Sequence, residues 1–400
     1  MPNLRPTVSI LTLQMKDTRG DSMLERLSAL VLSEHVDAKV REGRSFVPVQ
    51  GVPILPMPPH VLDAARWTAE HPGPRISRGM PELRQVIAEK LTEDIGITVR
   101  PDSGLLITHG AQHGMSIALR ALIAPGDEVL VPAPTYFFDG LVRLAGGTPR
   151  YIHTTARDGW RIDVNAIAAA ISARTRAILL CNPNNPTGDV PTRECLRDIV
   201  TLAESHGLIV FSDESYERYV HDGPGYVPLM SFSGISDRLV TVTSLSKNYA
   251  FTNWRVGYVH SSKHLIDKIH TALECDVINV GDVPQAAAVA ALTGPSDWLD
   301  GEFATMRERR DILMTCLAEA SVPAVRPAAG VFVFADLAVT GRHGSDLEEL
   351  LLDAGIPALS GQGFKGPADH VRLLYGAARP DVEELGRRIG SVVSNPLTRV

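Results

Sequence analysis

From about residue 103 to residue 243, short apolar runs alternate with amphipathic stretches of helical periodicity. Short apolar runs predict buried strands, and apolar residues spaced three and four apart predict helices. The predicted strands are 105–108, 128–131, 150–153, 177–181, 208–212 and 239–243, with helices at 111–123, from about 138, at 164–173 and at 192–206. Because strands that alternate with helices form a parallel sheet covered on both faces, we predict an α/β fold.

The pattern differs at both ends of this region. Residues 22–41 contain one helical stretch, and five prolines within 46–59 keep that segment extended, since proline restrains its own backbone and that of the preceding residue. Further elements are predicted as helices at 81–94, 296–320, 345–354 and 380–393 and as strands at 331–334 and 371–374. We therefore predict an N-terminal arm (1–60) that joins a small domain, a large domain (61–295) and a smaller α+β domain (296–400).

Composition narrows the classes of function. Of the 400 residues, 39 are Lys or Arg and 46 are Asp or Glu, so the net charge is −7 and no basic field attracts nucleic acid or an anionic membrane. No apolar run reaches the ~18 residues of a membrane span, and the first twenty residues lack the pattern of a signal peptide. The four cysteines are dispersed and the histidines form no metal-binding motif. We expect a cytoplasmic protein with a small-molecule ligand and without a metal, nucleic-acid or membrane partner.

Ligands of parallel sheets bind outside the carboxyl ends of the strands, so the residues directly after each predicted strand are the candidates for chemistry. After the first strand, Ala111 and Gln112 open a helix whose free N–H groups and dipole suit a phosphate. Tyr136 follows the second strand as an aromatic plate, and Asn185 follows the fourth as an amide donor. Each of these has a simpler explanation as a turn or core residue.

The remaining strand ends carry a carboxylate and an amine. Asp213 directly follows the fifth strand, where it either caps a turn or holds a cationic nitrogen. Lys247, one of only seven lysines, follows the sixth strand among hydroxyls, with Arg255 eight positions on. A desolvated lysine near another cation loses its charge and becomes a nucleophilic amine, although a surface lysine is the simpler explanation. A phosphate cradle, an aromatic plate, an amide, a carboxylate and an amine together suit one ligand, pyridoxal 5′-phosphate.

These stretches resemble the class I/II aminotransferases, which are fold-type-I pyridoxal-phosphate enzymes. The motifs are Gly-Ala-Gln (110–112), Ala-Pro-Thr-Tyr (133–136), Asn-Asn-Pro-Thr-Gly (184–188), Ser-Asp-Glu-Ser-Tyr (212–216), Ser-Leu-Ser-Lys (244–247) and Val-Arg-Leu-Leu-Tyr (371–375). The resemblance implies a mostly parallel seven-stranded sheet in a large domain that binds the cofactor, and a homodimer with active sites at its interface. It also implies that the amino group of an L-α-amino acid is transferred to a 2-oxo acid.

The resemblance further implies roles for individual residues. Lys247 would form the Schiff base and move the substrate proton, Asp213 would pair with the ring nitrogen, and Tyr136 would stack on the ring. Asn185 and Tyr216 would bind the ring oxygen. The residues implied for the phosphate are Ala111, Gln112, Ser244, Ser246 and Arg255, and those implied for the substrate are Arg372, Asn185 and Gly51. A guanidinium such as that of Arg372 offers a carboxylate two parallel hydrogen bonds.

One residue that is usual in this family is absent from the sequence. A tyrosine that reaches the partner's phosphate usually stands five residues before Gly-x-x-x-Leu-Arg, which is 79–84 here, but the expected position is Pro74. Arg75, Ser77 and Arg78 are the nearest replacements. The same position shapes reaction specificity, so transamination through a pyridoxamine intermediate has alternatives: a β- or γ-eliminating lyase, or a carbanion oxidase or cyclase.

A second alternative is a non-catalytic regulator that binds the same cofactor. The acidic charge balance and the joint presence of Lys247, Asp213 and Arg372 argue against it. The sequence predicts neither the amino acid, the oxo acid nor the pathway. We expect the substrate side chain to be read by the segment 46–53, by the loop 75–78 and by the partner subunit.

Overall fold

The computed structural model describes residues 28–51, 54–74 and 76–394. The strands in these ranges are β1 (Leu105–Thr108), β2 (Glu128–Ala133), β3 (Thr148–His153), β4 (Thr175–Cys181), β5 (Ile209–Asp213), β6 (Leu239–Ser244), β7 (Gly257–Ser261), β8 (Phe332–Asp336), β9 (Leu359–Ser360) and β10 (His370–Leu374). The α-helices are α1 (Ser28–Arg41), α2 (Pro59–Glu70), α3 (Pro81–Ile95), α4 (Gly110–Leu122), α5 (Asp139–Leu144), α6 (Val164–Ala170), α7 (Arg193–His206), α8 (Leu245–Asn248), α9 (Lys263–Asp276), α10 (Asp282–Thr293), α11 (Asp297–Glu319), α12 (Gly344–Asp353) and α13 (Arg379–Ser394).

Seven strands form one sheet in the order β1-β7-β6-β5-β4-β2-β3. The strands β3, β2, β4, β5 and β6 pair in parallel, whereas β7 runs antiparallel to both of its neighbours. The carboxyl ends of β1, β2, β4, β5 and β6 therefore meet at one edge of the sheet. The predicted α/β fold with a mostly parallel seven-stranded sheet is confirmed.

Successive side chains of the central strands enter two different cores. In β1, Leu105 and Ile107 pack on one face of the sheet, and Leu106 packs on the other. All three side chains are fully buried. Because side chains alternate across a strand, a sheet covered by helices on both faces needs apolar residues at every position. This explains why the strands are continuous apolar runs in the sequence.

A second, antiparallel sheet has the order β8-β10-β9 and its own core with α11 and α13. The N-terminal part of the described chain packs against it. Val47 is buried in this core and its N–H donates to the Gly355 carbonyl oxygen at 2.9 Å. The Lys39 ammonium of α1 forms an ion pair with Asp353 at 2.6 Å. Helix α1 and the segment 46–51 are therefore placed beside the strands of the small sheet.

Most predicted elements are found within one to three residues of their expected ends. The predicted helix 22–41 is observed as α1, and residues 22–27 lie outside the described residues. The sequence prediction missed two strands and four helices, which are β7, β9, α2, α8, α9 and α10. In the described part of the chain, no helix is long and apolar enough to cross a membrane.

Candidate active site

The residues predicted from the strand ends surround one cavity of about 100 Å³. Its lining consists of Ala111, Gln112, Tyr136, Cys181, Asn185, Asp213, Ser215, Tyr216, Ser244, Ser246, Lys247, Thr252 and Arg255. All ten residues expected to contact the cofactor are among them. The parallel strands bring them together, because their carboxyl ends lie at the same edge of the sheet.

Lys247 lies on α8, the short helix that directly follows β6, and its Nζ is 5.8 Å from the centre of the Tyr216 ring. Burial, reinforced by the nearby Arg372 and Arg255 guanidiniums, lowers the pKa of Lys247 to about 8, and Asp213 opposes that shift. A lysine of this kind has a larger fraction of free amine near neutral pH than an ordinary lysine has, and the free amine is the form that a nucleophile requires.

Asp213 ends β5 and is only 7% exposed. Its Oδ1 accepts hydrogen bonds from the Ser215 backbone N–H at 3.1 Å and from the Ser215 hydroxyl at 2.6 Å. Burial raises the pKa of Asp213, and the two Ser215 hydrogen bonds and the charge of Lys247 partly offset this. A cationic nitrogen beside it would favour the charged carboxylate, since an opposite charge lowers the pKa of an acid.

An anion site lies where α4 begins. Helix α4 starts at Gly110, and its first N–H groups have no partner within the helix. Beside them, the Arg255 Nη1 donates to the Ser246 hydroxyl at 3.2 Å and to the Thr252 carbonyl oxygen at 3.1 Å. Among the described residues Arg255 has no carboxylate partner, so a cation and a helix N-terminus face the same space.

Two glycines keep this space open. Gly110 has a φ of +80°, and a Cβ there would lie 2.7 Å from Arg255 Nη2. A Cβ on Gly257 of β7 would lie 2.6 Å from the Thr243 carbonyl oxygen and 2.8 Å from the Ala111 nitrogen. A larger residue at Gly257 would therefore push α4 away from the end of the sheet, and one at Gly110 would displace the Arg255 guanidinium.

Arg372 lies on the other sheet and contacts a residue of the cavity lining. It lies on β10, and its Nη1 donates to Asn185 Oδ1 at 3.0 Å while its guanidinium stacks 4.6 Å from the centre of the Phe364 ring. Its Nε is buried without a hydrogen-bond partner. In the part of the chain that the structure describes, no carboxylate pairs with it. A buried guanidinium of this kind is stabilised when a carboxylate binds.

The other predicted residues lie nearby or elsewhere. Gly51 lies beside β10, because a Cβ added to Gly51 would be 3.8 Å from the Leu374 side chain. Arg75 lies outside the described residues. Ser77 bonds to His270 and Glu274, and Arg78 pairs with Asp267 at 3.1 Å, so both already have partners within their own chain.

The sequence prediction missed Cys181, Ser215 and Thr252, which also line the cavity. Cys181 is the last residue of β4, so the rule that identified the other strand ends also applied to it. Ser215 lies within the motif 212–216. It donates hydrogen bonds to Asp213, two positions earlier, and this spacing is common in turns.

A larger cavity of about 510 Å³ lies between α3 and α10 and is lined by none of the predicted residues. Glu217 lines it, and burial raises the pKa of that carboxyl to about 8, with Glu214 and Asp94 adding to the shift. Its Oε1 accepts a hydrogen bond from the Asn248 amide at 2.8 Å. The nucleophile, the cations and the helix N-terminus converge on the smaller cavity, which is therefore the candidate active site.

Comparisons with known proteins identify the family to which the chain belongs. The family model described as aminotransferase class I and II matches residues 74–389. An aspartate aminotransferase of Pyrococcus abyssi is 31% identical over 354 residues, which are 86% of this chain and 90% of that protein. An aromatic-amino-acid aminotransferase of Thermococcus litoralis is 29% identical over 86% of this chain and 90% of its own. The crystal structure of Thermus thermophilus aspartate aminotransferase with maleate superposes with a TM-score of 0.86 at 28% identity, covering 92% of this chain and 97% of that one.

Proposed function

Because the chain belongs to the class I and II aminotransferases, we propose that it transfers the amino group of an L-α-amino acid to a 2-oxo acid with pyridoxal 5′-phosphate bound at Lys247. The observation that carries this proposal is the environment of Lys247. Its amino group is enclosed beside a buried carboxylate and two guanidiniums, and its pKa falls to about 8. An amine in that state can bond covalently to an aldehyde.

The described residues fit the cofactor. Arg255, Ser244, Ser246 and the N–H groups of Ala111 and Gln112 would hold its phosphate, since all five residues line one cavity with no competing carboxylate at Arg255. Asp213 would hold the proton on the ring nitrogen, and Tyr136 would stack on the ring. The Asn185 oxygen already accepts from Arg372, so its amide N–H₂ and the Tyr216 hydroxyl would donate to the ring oxygen.

The cofactor supplies an electron sink and a carrier for the amino group. The chain supplies orientation and proton transfer. Arg372 binds the substrate carboxylate with two parallel N–H groups, which fixes the α-carbon relative to Lys247. The Lys247 Nζ then removes the proton from that α-carbon and returns it during the second half of the cycle.

We also propose a homodimer in the cytoplasm. The family resemblance supports a second copy, since relatives of this kind place a residue of the partner near the phosphate, and Ser77 and Arg78 are bound within their own chain here. Four cysteines without disulfides suit a reducing compartment.

The test is a titration of the cofactor-loaded protein with single L-amino acids, without oxygen and without a 2-oxo acid. We expect the long-wavelength absorbance of the bound cofactor to bleach while one 2-oxo acid per site is released, and to return when an acceptor 2-oxo acid is added. Product that accumulates beyond one per site without an acceptor would instead identify the lyase alternative. Absorbance that no amino acid changes would contradict both.

A further inference from the structure

A phenylalanine ring lies against the guanidinium of Arg372. The Arg372 Cζ is 4.6 Å from the centre of the Phe364 ring, and Phe364 is fully buried. Phe364 ends the short 3₁₀-helix Gly361–Phe364, which directly follows β9, whereas Arg372 lies on the neighbouring strand β10. A guanidinium is attracted to the face of an aromatic ring, most strongly where water is excluded. Burial therefore strengthens this contact.

The contact bears on how Arg372 presents its N–H groups. Nη1 donates to Asn185 Oδ1 at 3.0 Å, and Nε is buried without a hydrogen-bond partner among the described residues. A carboxylate forms a paired hydrogen bond only when two N–H groups point at it in parallel. An aromatic ring in contact with the guanidinium leaves the group less room to rotate. Asn185 and Phe364 together therefore restrain which edge of Arg372 is free for a carboxylate.

The Phe364 ring is held in turn by the loop that carries Tyr136. It stacks on the Phe137 ring, with the two centres 5.0 Å apart and the planes inclined by 27°. The Tyr136 and Phe137 ring centres are also 5.0 Å apart. The Thr135 N–H donates to the Phe364 carbonyl oxygen at 2.9 Å. Since Tyr136 lines the cofactor cavity, a continuous row of side-chain contacts joins that cavity to Arg372.

Phe364 also has a purely structural explanation. It belongs to a small apolar cluster with Trp160, Phe334 and Leu359. Membership of the cluster explains why residue 364 is apolar. An aliphatic side chain would suit such a cluster too, but it would not attract a cation, because that attraction comes from the ring quadrupole. The substitution Phe364→Leu therefore separates the two roles, since it keeps an apolar side chain and removes the ring.

We propose that Phe364 is a positioning residue for Arg372, whose guanidinium it holds in the orientation that takes up a carboxylate. The stack on Phe137 keeps the Phe364 ring in place beside the loop of Tyr136. This inference rests on the proposed function for the assignment of the substrate carboxylate to Arg372. Neither Phe364 nor Phe137 was among the residues that the sequence indicated for the site.

Binding of an acid that cannot react provides the first test. Calorimetry on the cofactor-loaded protein should show that Phe364→Leu weakens the binding of propanoate about tenfold, as expected for the loss of a desolvated cation–π contact. The affinity for pyridoxal 5′-phosphate should not change, because Phe364 does not line the cofactor cavity. Equal weakening of propanoate and cofactor would show a structural role only. Propanoate binding as tight as in the wild type would refute the proposal.

Two further variants guard this result. Phe137→Leu removes the supporting ring, which is only half-buried, and should weaken propanoate about threefold, since an exposed contact of this kind is weaker. It keeps the proposal testable if Phe364→Leu fails to fold. Phe232→Leu is the matched control, because the Phe232 ring lies 5.0 Å from the Arg193 Cζ, outside the site. The same loss of propanoate binding in Phe232→Leu, or no loss in Phe137→Leu, would contradict the positioning role.

Steady-state kinetics extend the test to the reaction. Substrate carboxylate is not altered by amino transfer, so its contact with Arg372 stabilises the bound substrate and the transition state alike. Phe364→Leu should therefore raise KM for the amino donor about tenfold and change kcat less. A fall in kcat with unchanged KM would overturn this role. If propanoate binding is weakened as expected while no amino acid is turned over, the positioning role stands and the proposed function fails.

Discussion

At the scale of single residues, the site is positive within an acidic chain. The net charge is −7, yet Lys247, Arg255 and Arg372 gather around one cavity, and Asp213 is the carboxylate in its lining. Neither arginine has a carboxylate partner among the described residues. A local excess of positive charge attracts and holds anions, and the proposed ligands carry a phosphate and a carboxylate. The same excess disfavours the charged form of Lys247.

Lys247→Ala is predicted to abolish 2-oxo acid release, because no other amine lines the cavity in the described structure. We expect a loss of at least about 10³-fold in the single-turnover rate, in the range that covalent and acid–base catalysis together supply. Lys268→Ala, at an exposed lysine of α9, is the matched control and should behave as wild type. A variant at position 247 that retains wild-type turnover would refute the assigned nucleophile.

The lowered pKa of Lys247 predicts how cofactor capture depends on pH. Below about pH 8 the group is an ammonium and cannot attack the aldehyde, so the second-order rate of capture by the apoprotein should rise about tenfold per pH unit and level off above about 8. Between that pH and the ordinary lysine pKa the unfolded chain binds more protons, so the free energy of unfolding also rises across this interval. Stopped-flow absorbance measures the rate.

The substitution Arg372→Leu tests what lowers the pKa of Lys247. Since the Arg372 charge lowers the pKa of Lys247, its removal should move the plateau to higher pH. Arg176→Leu, at an exposed arginine at the start of β4, should leave the profile unchanged. A plateau that stays near pH 8 in both variants would show that the Arg372 charge does not contribute to the lowered pKa of Lys247.

At the scale of elements, the site depends on how closely α4 approaches β6 and β7. The chain enters α4 through Gly110, and β7 contributes Gly257 directly behind it. This junction places helix N–H groups at the end of the sheet.

The apolar periodicity of the sequence predicted α4 but not β7, because Gly-Tyr-Val-His-Ser is not an apolar run. Helix α9 was overlooked although Leu265, Ile269 and Leu273 form an apolar stripe.

Gly257→Ala should damage both stability and cofactor binding. The new Cβ would lie 2.6 Å from the Thr243 carbonyl oxygen and 2.7 Å from the Gly110 carbonyl carbon, both backbone atoms. We expect a loss of about 1–3 kcal/mol in the free energy of unfolding, as for other overpacked sites, and weaker binding of pyridoxal 5′-phosphate. Urea unfolding of the apoprotein and a fluorescence titration measure the two effects.

The control for this substitution is Gly140→Ala in α5, where a Cβ would have no neighbour within 4 Å. It should be neutral or stabilise by up to about 1 kcal/mol, since alanine favours helix more than glycine does. Identical behaviour of the two variants would show that the junction tolerates a side chain.

At the scale of the whole molecule, the site is shared between two sheets. Lys247 and Asp213 belong to the large sheet, and Arg372 belongs to the small one. Helix α1 packs on the small sheet beside β9. Elsewhere on the surface, α2 exposes apolar residues: Trp67 is 62% exposed and Leu62 is 42% exposed. Burial of these side chains in the interface of the proposed homodimer would be favourable.

The proposed homodimer predicts a single species of twice the chain mass in sedimentation velocity. Trp67→Glu should shift it towards the monomer, because a charge would be buried in the interface. Leu144→Glu is the control, since Leu144 on α5 is also exposed, at 52%. A wild-type protein that remains monomeric at all concentrations would contradict the dimer.

The sequence alone determined the α/β architecture and the residues at the strand ends. Both follow from local rules, because apolar periodicity marks the strands and the residues at a strand's carboxyl end face a common edge of the sheet. The motifs at 110–112, 184–188, 212–216 and 244–247 can therefore be located by their positions along the chain. Family membership, the fold class and the aminotransferase activity predicted from them are confirmed. The individual roles of the site residues stay predictions.

Only the tertiary structure decided which distant residues meet. The hydrogen bond from Arg372 to Asn185 spans 187 positions, and nothing in the sequence of α1 marks that this helix packs beside β9. The lowered pKa of Lys247 likewise depends on two arginines brought near it by folding. The physical reason is that these contacts depend on how two separate sheets pack against each other, and periodicity within one element carries no information about that packing.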